Sequence, residues 1–398
     1  MSNLQLIIVA REDDERAVKA AGYKSIRVVK DVRDLYRPTM SDPAWELDQT
    51  LAMFGKFVLA LPVDWHDLRD AVAVRLGDTK CTWVDFTDDL PGPIELLQGI
   101  GSDALQNALE TARPMWTEEI CAMSDVPEGG EEIAYKTGIE TLDNRGVRVA
   151  RPAFMPVIGP YGSGKSILLR QLATGLYRQH GWRTLLTSFE EKIKPRYQRD
   201  LRRHMIGAQP QLWTEEDLAR ADVNIERAFR FLRRPRRIAT NVDWLIDRIE
   251  FAVKVHGIDV VMIDPVNELD HEVPKFTSKT DYMGQFIMAL KQLADDYNLL
   301  MIVAAHPPKD GVEKRLSKGR LLTLNDGADT SHYGNKADIG WVVWRPDFEG
   351  PSLLHVDKTK SHEIYGAPNL YELRLDPTTG AFYCAREGYE IVAGEHAQ

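Results

Sequence analysis

Gly159, Pro160, Tyr161, Gly162, Ser163, Gly164, Lys165 and Ser166 together match the pattern G-x4-G-K-[ST] in full. Glycines at these positions let backbone N–H groups close around a phosphate, and a helix that starts there aims its free N–H groups at the same spot. Lys165 brings a positive charge to the outer phosphates, and the Ser166 hydroxyl is a hard oxygen suited to Mg²⁺. Ile167 opens the apolar run that follows. The chemistry is the binding and hydrolysis of a nucleoside triphosphate, ATP. Downstream, the apolar run Val260 to Ile263 ends in Asp264, a carboxylate placed to hold a metal-bound water. Glu190 closes the run TLLTSFE, where a carboxylate polarises the water that attacks a γ-phosphate; Glu191 is an adjacent competitor for that role. His306 ends LMIVAAH, and a polar group at that point senses the γ-phosphate and passes its state to the next loop.

These residues need rigid elements to hold them. FMPVI precedes the glycine-rich stretch and ILLRQLATGLY follows it, which predicts a strand, a phosphate loop and a helix. Further strands are expected at Phe154 to Gly159, Arg183 to Phe189, Val260 to Asp264, Leu299 to Ala305, Ile339 to Trp344 and Leu353 to Asp357. Before them, LQLIIVA, EDDERAVKAAG, SIRVV, KFVLALP, HDLRDAVAVRLG and CTWVDF alternate strand and helix patterns, the mark of an α/β domain with a largely parallel sheet. Ser102 to Met123 begins as an amphipathic helical pattern, and the acidic, Gly-containing DVPEGGEE loses all periodicity. The expected organisation is a smaller α/β domain over residues 1–115, a linker over 116–132 and a RecA-like ATPase domain over 133–390.

A chain of 398 residues supports two cores of this size. It holds no apolar run of about eighteen residues, so no membrane span is expected. The start, MSNLQLIIVARED, has no basic leader, and its three cysteines lack metal-ligand or disulfide spacing. Cytoplasmic residence is the expectation. A net charge of minus ten argues against coating nucleic acid with the whole surface, yet KIKPRYQRDLRR, RAFRFLRRPRR and KDGVEKRLSKGR are local basic runs.

Taken together, TGIETLDN at Thr137 to Asn144, the phosphate loop, SFEE, MIDP, AAHPPKD and NKADIGWVVWR at Asn335 to Arg345 resemble the DnaB-like replicative helicases. The branch of Twinkle and the phage primase-helicases is the most similar. The resemblance spans roughly residues 133 to 385 and implies a ring, usually a hexamer, that moves 5′ to 3′ on single-stranded DNA in replication. It also implies that each nucleotide site is completed by a neighbour's basic residues. Lys358 and Lys360 in VDKTKSHEIYG match the trans-acting pair. In the family the second is commonly an arginine finger; Lys360 offers a point charge instead of a bidentate fork, so that stabilisation is weaker or lies elsewhere. Arg345 matches a residue near the adenine. The resemblance points the loops from Leu269 to Lys279 and Lys309 to Asn325 into the channel, making Lys275, Lys279, Lys309, Lys314 and Lys318 the expected DNA contacts. The alternatives are a RecA-like recombination or regulatory ATPase that assembles on DNA without unwinding, and a nucleotide switch with protein partners only.

The N-terminal half resembles the toprim fold that precedes the helicase in primase-helicases, with LALPVDWHDLRDAVAVRLG as its acidic strand end and helix. A toprim site holds metals with a glutamate after the first strand and an Asp-x-Asp pair later. Here Ala10 stands at the glutamate position and Asp64-Trp65-His66 replaces the pair, so a degenerate domain without primase activity is expected.

Overall fold

The computed structural model describes residues 4–38, 45–115, 123, 133–187, 191–234, 240–266, 269, 278–308, 320–327, 332–347 and 349–387. The chain divides into two compact units, Met1–Glu132 with Val253–Gly257 and Ile133–Ala252 with Ile258–Gln398. Of the expected linker, 116–132, only Met123 lies among the described residues.

The first unit runs β1 (Gln5–Val9), α1 (Glu12–Ala20), β2 (Ile26–Val28), β3 (Tyr36–Pro38), β4 (Trp45–Leu47), β5 (Lys56–Leu59), α2 (His66–Leu76), β6 (Cys81–Trp83), α3 (Pro93–Gly99), α4 (Ser102–Glu110) and β7 (Arg113–Pro114). Its sheet has the order β2-β1-β5-β6-β7, parallel except for β7, while β3 and β4 form a separate antiparallel pair. Alternate residues of β1 serve two cores: Leu6 and Ile8 pack with Leu59 and Trp83 on one face, and Ile7 and Val9 with Val58 and Leu105 on the other. Burial on both faces is what an apolar strand inside a parallel sheet requires. The acidic first turn of α1, Glu12 to Glu15, and its Lys19 near the end both suit the helix dipole.

The second unit runs β8 (Tyr135–Lys136), α5 (Glu140–Asp143), β9 (Arg148–Val149), β10 (Ala153–Ile158), α6 (Lys165–His180), β11 (Thr184–Thr187), α7 (Gln198–Ile206), α8 (Glu215–Ala228) and β12 (Phe229–Phe231), then α9 (Val242–His256), β13 (Val260–Ile263), α10 (Lys279–Asp296), β14 (Leu300–Ala305), β15 (Ile339–Trp344), β16 (Ser352–Thr359), β17 (Asn369–Leu375) and β18 (Phe382–Glu387). The described sheet has the order β12-β11-β13-β14-β10-β15-β16-β17-β18. Strands β12 to β15 in that order are parallel and β16 to β18 close one side antiparallel. The strands expected in this half are present, Ile339 to Trp344 as expected and the others with described ends within two residues; Ser188 and Phe189 lie outside the described residues. β12 is an addition, because RAFRFLRRPRR reads as a basic run. No described helix is long and apolar enough to cross a membrane.

TGIETLDN is a packing device. The Asp143 carboxylate accepts from the Thr137 backbone N–H at 2.6 Å, the Thr137 hydroxyl at 2.8 Å and the Gly138 N–H at 3.0 Å, which folds the segment into a tight turn. That turn sets Gly138 against Gly175 of α6, where a Cβ on either residue would meet the other's backbone. The motif therefore seats the helix that carries Lys165.

Candidate nucleotide site

Parallel strands put their carboxyl ends on one edge, and open α/β sheets bind ligands outside that edge. There β10 delivers the phosphate loop, β13 delivers Asp264, β14 delivers His306 and β15 delivers Arg345. All six residues of β10 are buried, and its neighbours β14 and β15 fix the loop's root: the Gly159 N–H donates to the Ala305 carbonyl at 3.2 Å. A Cβ at Gly159 would collide with the Val343 carbonyl, so glycine is required where the loop crosses β15. Gly164 caps α6 at φ +94° with its Cα against the Phe382 ring, a left-handed position that also demands glycine. The Ser352 hydroxyl donates to the Ser163 carbonyl at 2.9 Å and steadies the turn.

Lys165 is 5% exposed, and its ammonium is held by the loop itself. Its Nζ donates to the Gly159 carbonyl at 2.5 Å and the Pro160 carbonyl at 3.0 Å, and lies 3.1 Å from His306 Nδ1. Burial and the Lys165 charge push the His306 imidazole down to about 4, so it is neutral near pH 7. The Ser166 hydroxyl and the Asp264 carboxylate are joined by a hydrogen bond. Burial pushes the Asp264 carboxyl up, against that hydrogen bond and the positive charges of Lys165 and Arg170. A hydroxyl beside a buried carboxylate that is costly to ionise alone gives two hard oxygen ligands that fit a divalent cation.

Glu190 lies outside the described residues, but its competitor is placed. The Glu191 carboxylate takes Arg170 Nη1 at 2.8 Å and faces Arg196 Nε at 3.6 Å. Arg170, on α6 and 4% exposed, also faces Asp200 at 3.5 Å and lies 4.7 Å over the Tyr197 ring. Glu191 is thus occupied in an ion pair with the buried Arg170. Arg170, Ser352 and Phe382 are marked by no local pattern: the last two come from strands about two hundred residues away, and only the fold brings them to the loop.

Lys358 and Lys360 stand elsewhere. Lys358 Nζ donates to the Gly334 carbonyl at 2.8 Å, and burial pulls its ammonium down. The Lys360 backbone N–H donates to the Asp338 carbonyl at 2.8 Å, and its Nζ lies 3.7 Å from the Asp338 carboxylate. That carboxylate accepts from the Phe154 N–H at 3.0 Å and from Lys291 Nζ at 2.5 Å. Phe154 is at the start of β10 and the phosphate loop at its end, so five strand steps of about 3.3 Å place the lysine pair about 16 Å from the loop of the same chain. Of the expected DNA contacts, Lys279 begins α10, while Lys275, Lys309, Lys314 and Lys318 lie outside the described residues.

In the first unit, Ala10 is 1% exposed in the core beyond β1, Asp64 is exposed, and His66 begins α2. A cavity of about 290 Å³ beyond β5 and β6 is lined by Trp65, His66, Arg69, Trp83, Asp85 and Asp88. Arg69 stacks on Trp83 at 4.8 Å, a cation beside the region where toprim carboxylates are expected.

An AAA-domain family profile matches residues 146–312. The Twinkle homolog protein, chloroplastic/mitochondrial, of Arabidopsis thaliana is 26% identical over 419 aligned positions, which cover 95% of this chain. The chain spans 58% of that relative's length. Two solved structures share the fold. One is an ATPase domain, at TM-score 0.52 and 17% identity over 63% of this chain and 91% of that one. The other is a DnaB-like replicative helicase described with its interactions with primase, at TM-score 0.50 and 16% identity over 73% of each. The chain therefore carries the α/β fold of a RecA-like ATPase, and it is similar to a Twinkle homolog along nearly its whole length.

Proposed function

We propose that this chain is an ATP-driven DNA helicase of replication, which assembles as a ring, a hexamer, and moves 5′ to 3′ on single-stranded DNA. The observation that carries this reading is the division of the catalytic groups between two ends of one sheet. The phosphate loop, Asp264 and His306 gather at one end, and Lys358 and Lys360 stand about 16 Å away at the other. A pair so far from its own loop serves hydrolysis only in a head-to-tail assembly, where one copy's lysines face the next copy's nucleotide.

In this reading Lys165 leaves the Gly159 and Pro160 carbonyls for the β- and γ-phosphates, which offer it a stronger, charge-assisted contact. The loop N–H groups and the start of α6 hold the phosphates, Arg345 lies beside the base, and Glu190 orients the attacking water. Ser166 and Asp264 would hold Mg²⁺, which neutralises phosphate charge when bound. His306, neutral and beside Lys165, registers the phosphate at the end of β14.

The trans role has a direct test. Lys360→Ala should lower kcat at least about tenfold with little change in KM, because a transition-state charge is lost. Mixing Lys360→Ala and Lys165→Ala subunits one to one should restore up to about a quarter of the sites, since a heterologous ring then pairs intact loops with intact lysines. Mixed rings with no recovery would contradict a neighbour's lysine at the site.

DNA binding by an acidic chain is reconciled if loops from several copies face one strand, so that a modest charge per subunit multiplies around the axis. Replacing Lys309, Lys314 and Lys318 together by Ala should weaken single-stranded DNA affinity, flatten its salt dependence and remove DNA stimulation of hydrolysis, with basal hydrolysis kept. Unchanged affinity and salt slope in an intact ring would exclude this loop. We further propose that primase activity is lost, since Ala10 and His66 supply no carboxylate for a metal pair; a primer-synthesis assay should stay blank.

A further inference from the structure

The phosphate loop and the end of β14 also touch through a ring contact that neither the motif nor the resemblance uses. The Tyr161 ring lies on the His306 imidazole with centroids 3.8 Å apart and planes 19° apart. Tyr161 is 68% exposed and His306 is 9% exposed, so the phenol covers the imidazole from the solvent side while gaining little from its own burial. The edge of the same imidazole faces Lys165, with Nδ1 3.1 Å from Nζ and 3.2 Å from the Gly159 carbonyl. The ammonium needs an acceptor at Nδ1 and the carbonyl needs a donor there, so the two contacts are alternatives set by the ring's tautomer. One face and one edge of His306 are thus gripped by two residues of the same loop, four positions apart.

Resting on the reading of this loop as the ATP site, we propose that Tyr161 is a positioning residue for hydrolysis. Its ring holds the His306 imidazole with Nδ1 turned to Lys165, so that the movement of Lys165 toward a phosphate is felt at the end of β14. The pattern G-x4-G-K-[ST] leaves position 161 open, and a small residue there would satisfy the loop while offering no ring to stack. A flat aromatic contact of this kind has the right strength to fix one imidazole orientation while yielding to a bound ligand.

The test compares Tyr161→Ala and Tyr161→Phe in the full chain. Carbethoxylation of His306 by diethyl pyrocarbonate, followed by mass spectrometry, should run several-fold faster in the Ala variant and at the wild-type rate in the Phe variant. In the same samples kcat should fall about three- to tenfold for Ala and stay near wild type for Phe, as loss of one aromatic stack implies. The Kd for a fluorescent ATP analogue should stay within about twofold, because phosphate contacts come from the backbone and Lys165. Equal labelling in Ala and wild type, an unchanged kcat in Ala, or a Phe variant as impaired as Ala would each overturn the proposal. A wild type without ATP hydrolysis would sink the helicase reading, whereas the labelling comparison would still decide whether Tyr161 holds the ring.

Discussion

Lys165→Ala should abolish ATP hydrolysis and leave the protein folded. The ammonium is buried, held by two loop carbonyls and beside His306. Its removal takes away a charge that stabilises the transferring phosphoryl group by several kcal/mol, or about a thousandfold or more in rate. The fold loses little, because the β10, β14 and β15 ladders and the buried face of α6 do not depend on this side chain. Lost hydrogen bonds to two carbonyls cost about 1–2 kcal/mol and shift the melting temperature by a few degrees. Phosphate release and a circular-dichroism melt on one preparation check both halves. A folded variant that turned over ATP at the wild-type rate would remove the phosphate loop from the chemistry.

Glu190→Gln should separate binding from turnover. The amide keeps the shape and part of the hydrogen bonding but cannot serve as a base for water, so nucleotide affinity persists while kcat drops about a hundredfold or more. Glu191→Gln is the informative partner. Its carboxylate is paired with the buried Arg170, so neutralising it leaves that guanidinium with Asp200 at 3.5 Å and mainly destabilises the fold. The expected pattern is lost turnover at 190 and a lowered melting temperature at 191. The reverse pattern would move the catalytic role one residue along the chain.

What could be read from residue order follows from what is local. The phosphate loop is legible because strand, glycines and helix are contiguous, and the strand runs are legible because burial on both faces makes them continuously apolar. Asp264 and His306 share one property, a polar residue ending such a run, and the parallel sheet converts that into one edge. β12 was hidden because Phe229–Phe231 is flanked by arginines that face outward. The antiparallel closure by β17 and β18, and with it Phe382 against Gly164, depends on pairings that no local pattern encodes. Lys358 and Lys360 were legible as a pair only by resemblance. Their place at the far end of β10 comes from the β15–β16 register, which pairs Ile339 with Thr359.

Unwinding of a forked duplex carrying one labelled strand separates a helicase from an ATPase that only assembles on DNA. With ATP and Mg²⁺ the labelled strand should be released, release should require a 5′ single-stranded tail, and both the ATP-free reaction and the Lys165→Ala protein should leave the duplex intact. DNA-stimulated ATP hydrolysis with no strand release on any fork would contradict the helicase reading and favour a RecA-like ATPase that assembles on DNA without unwinding it.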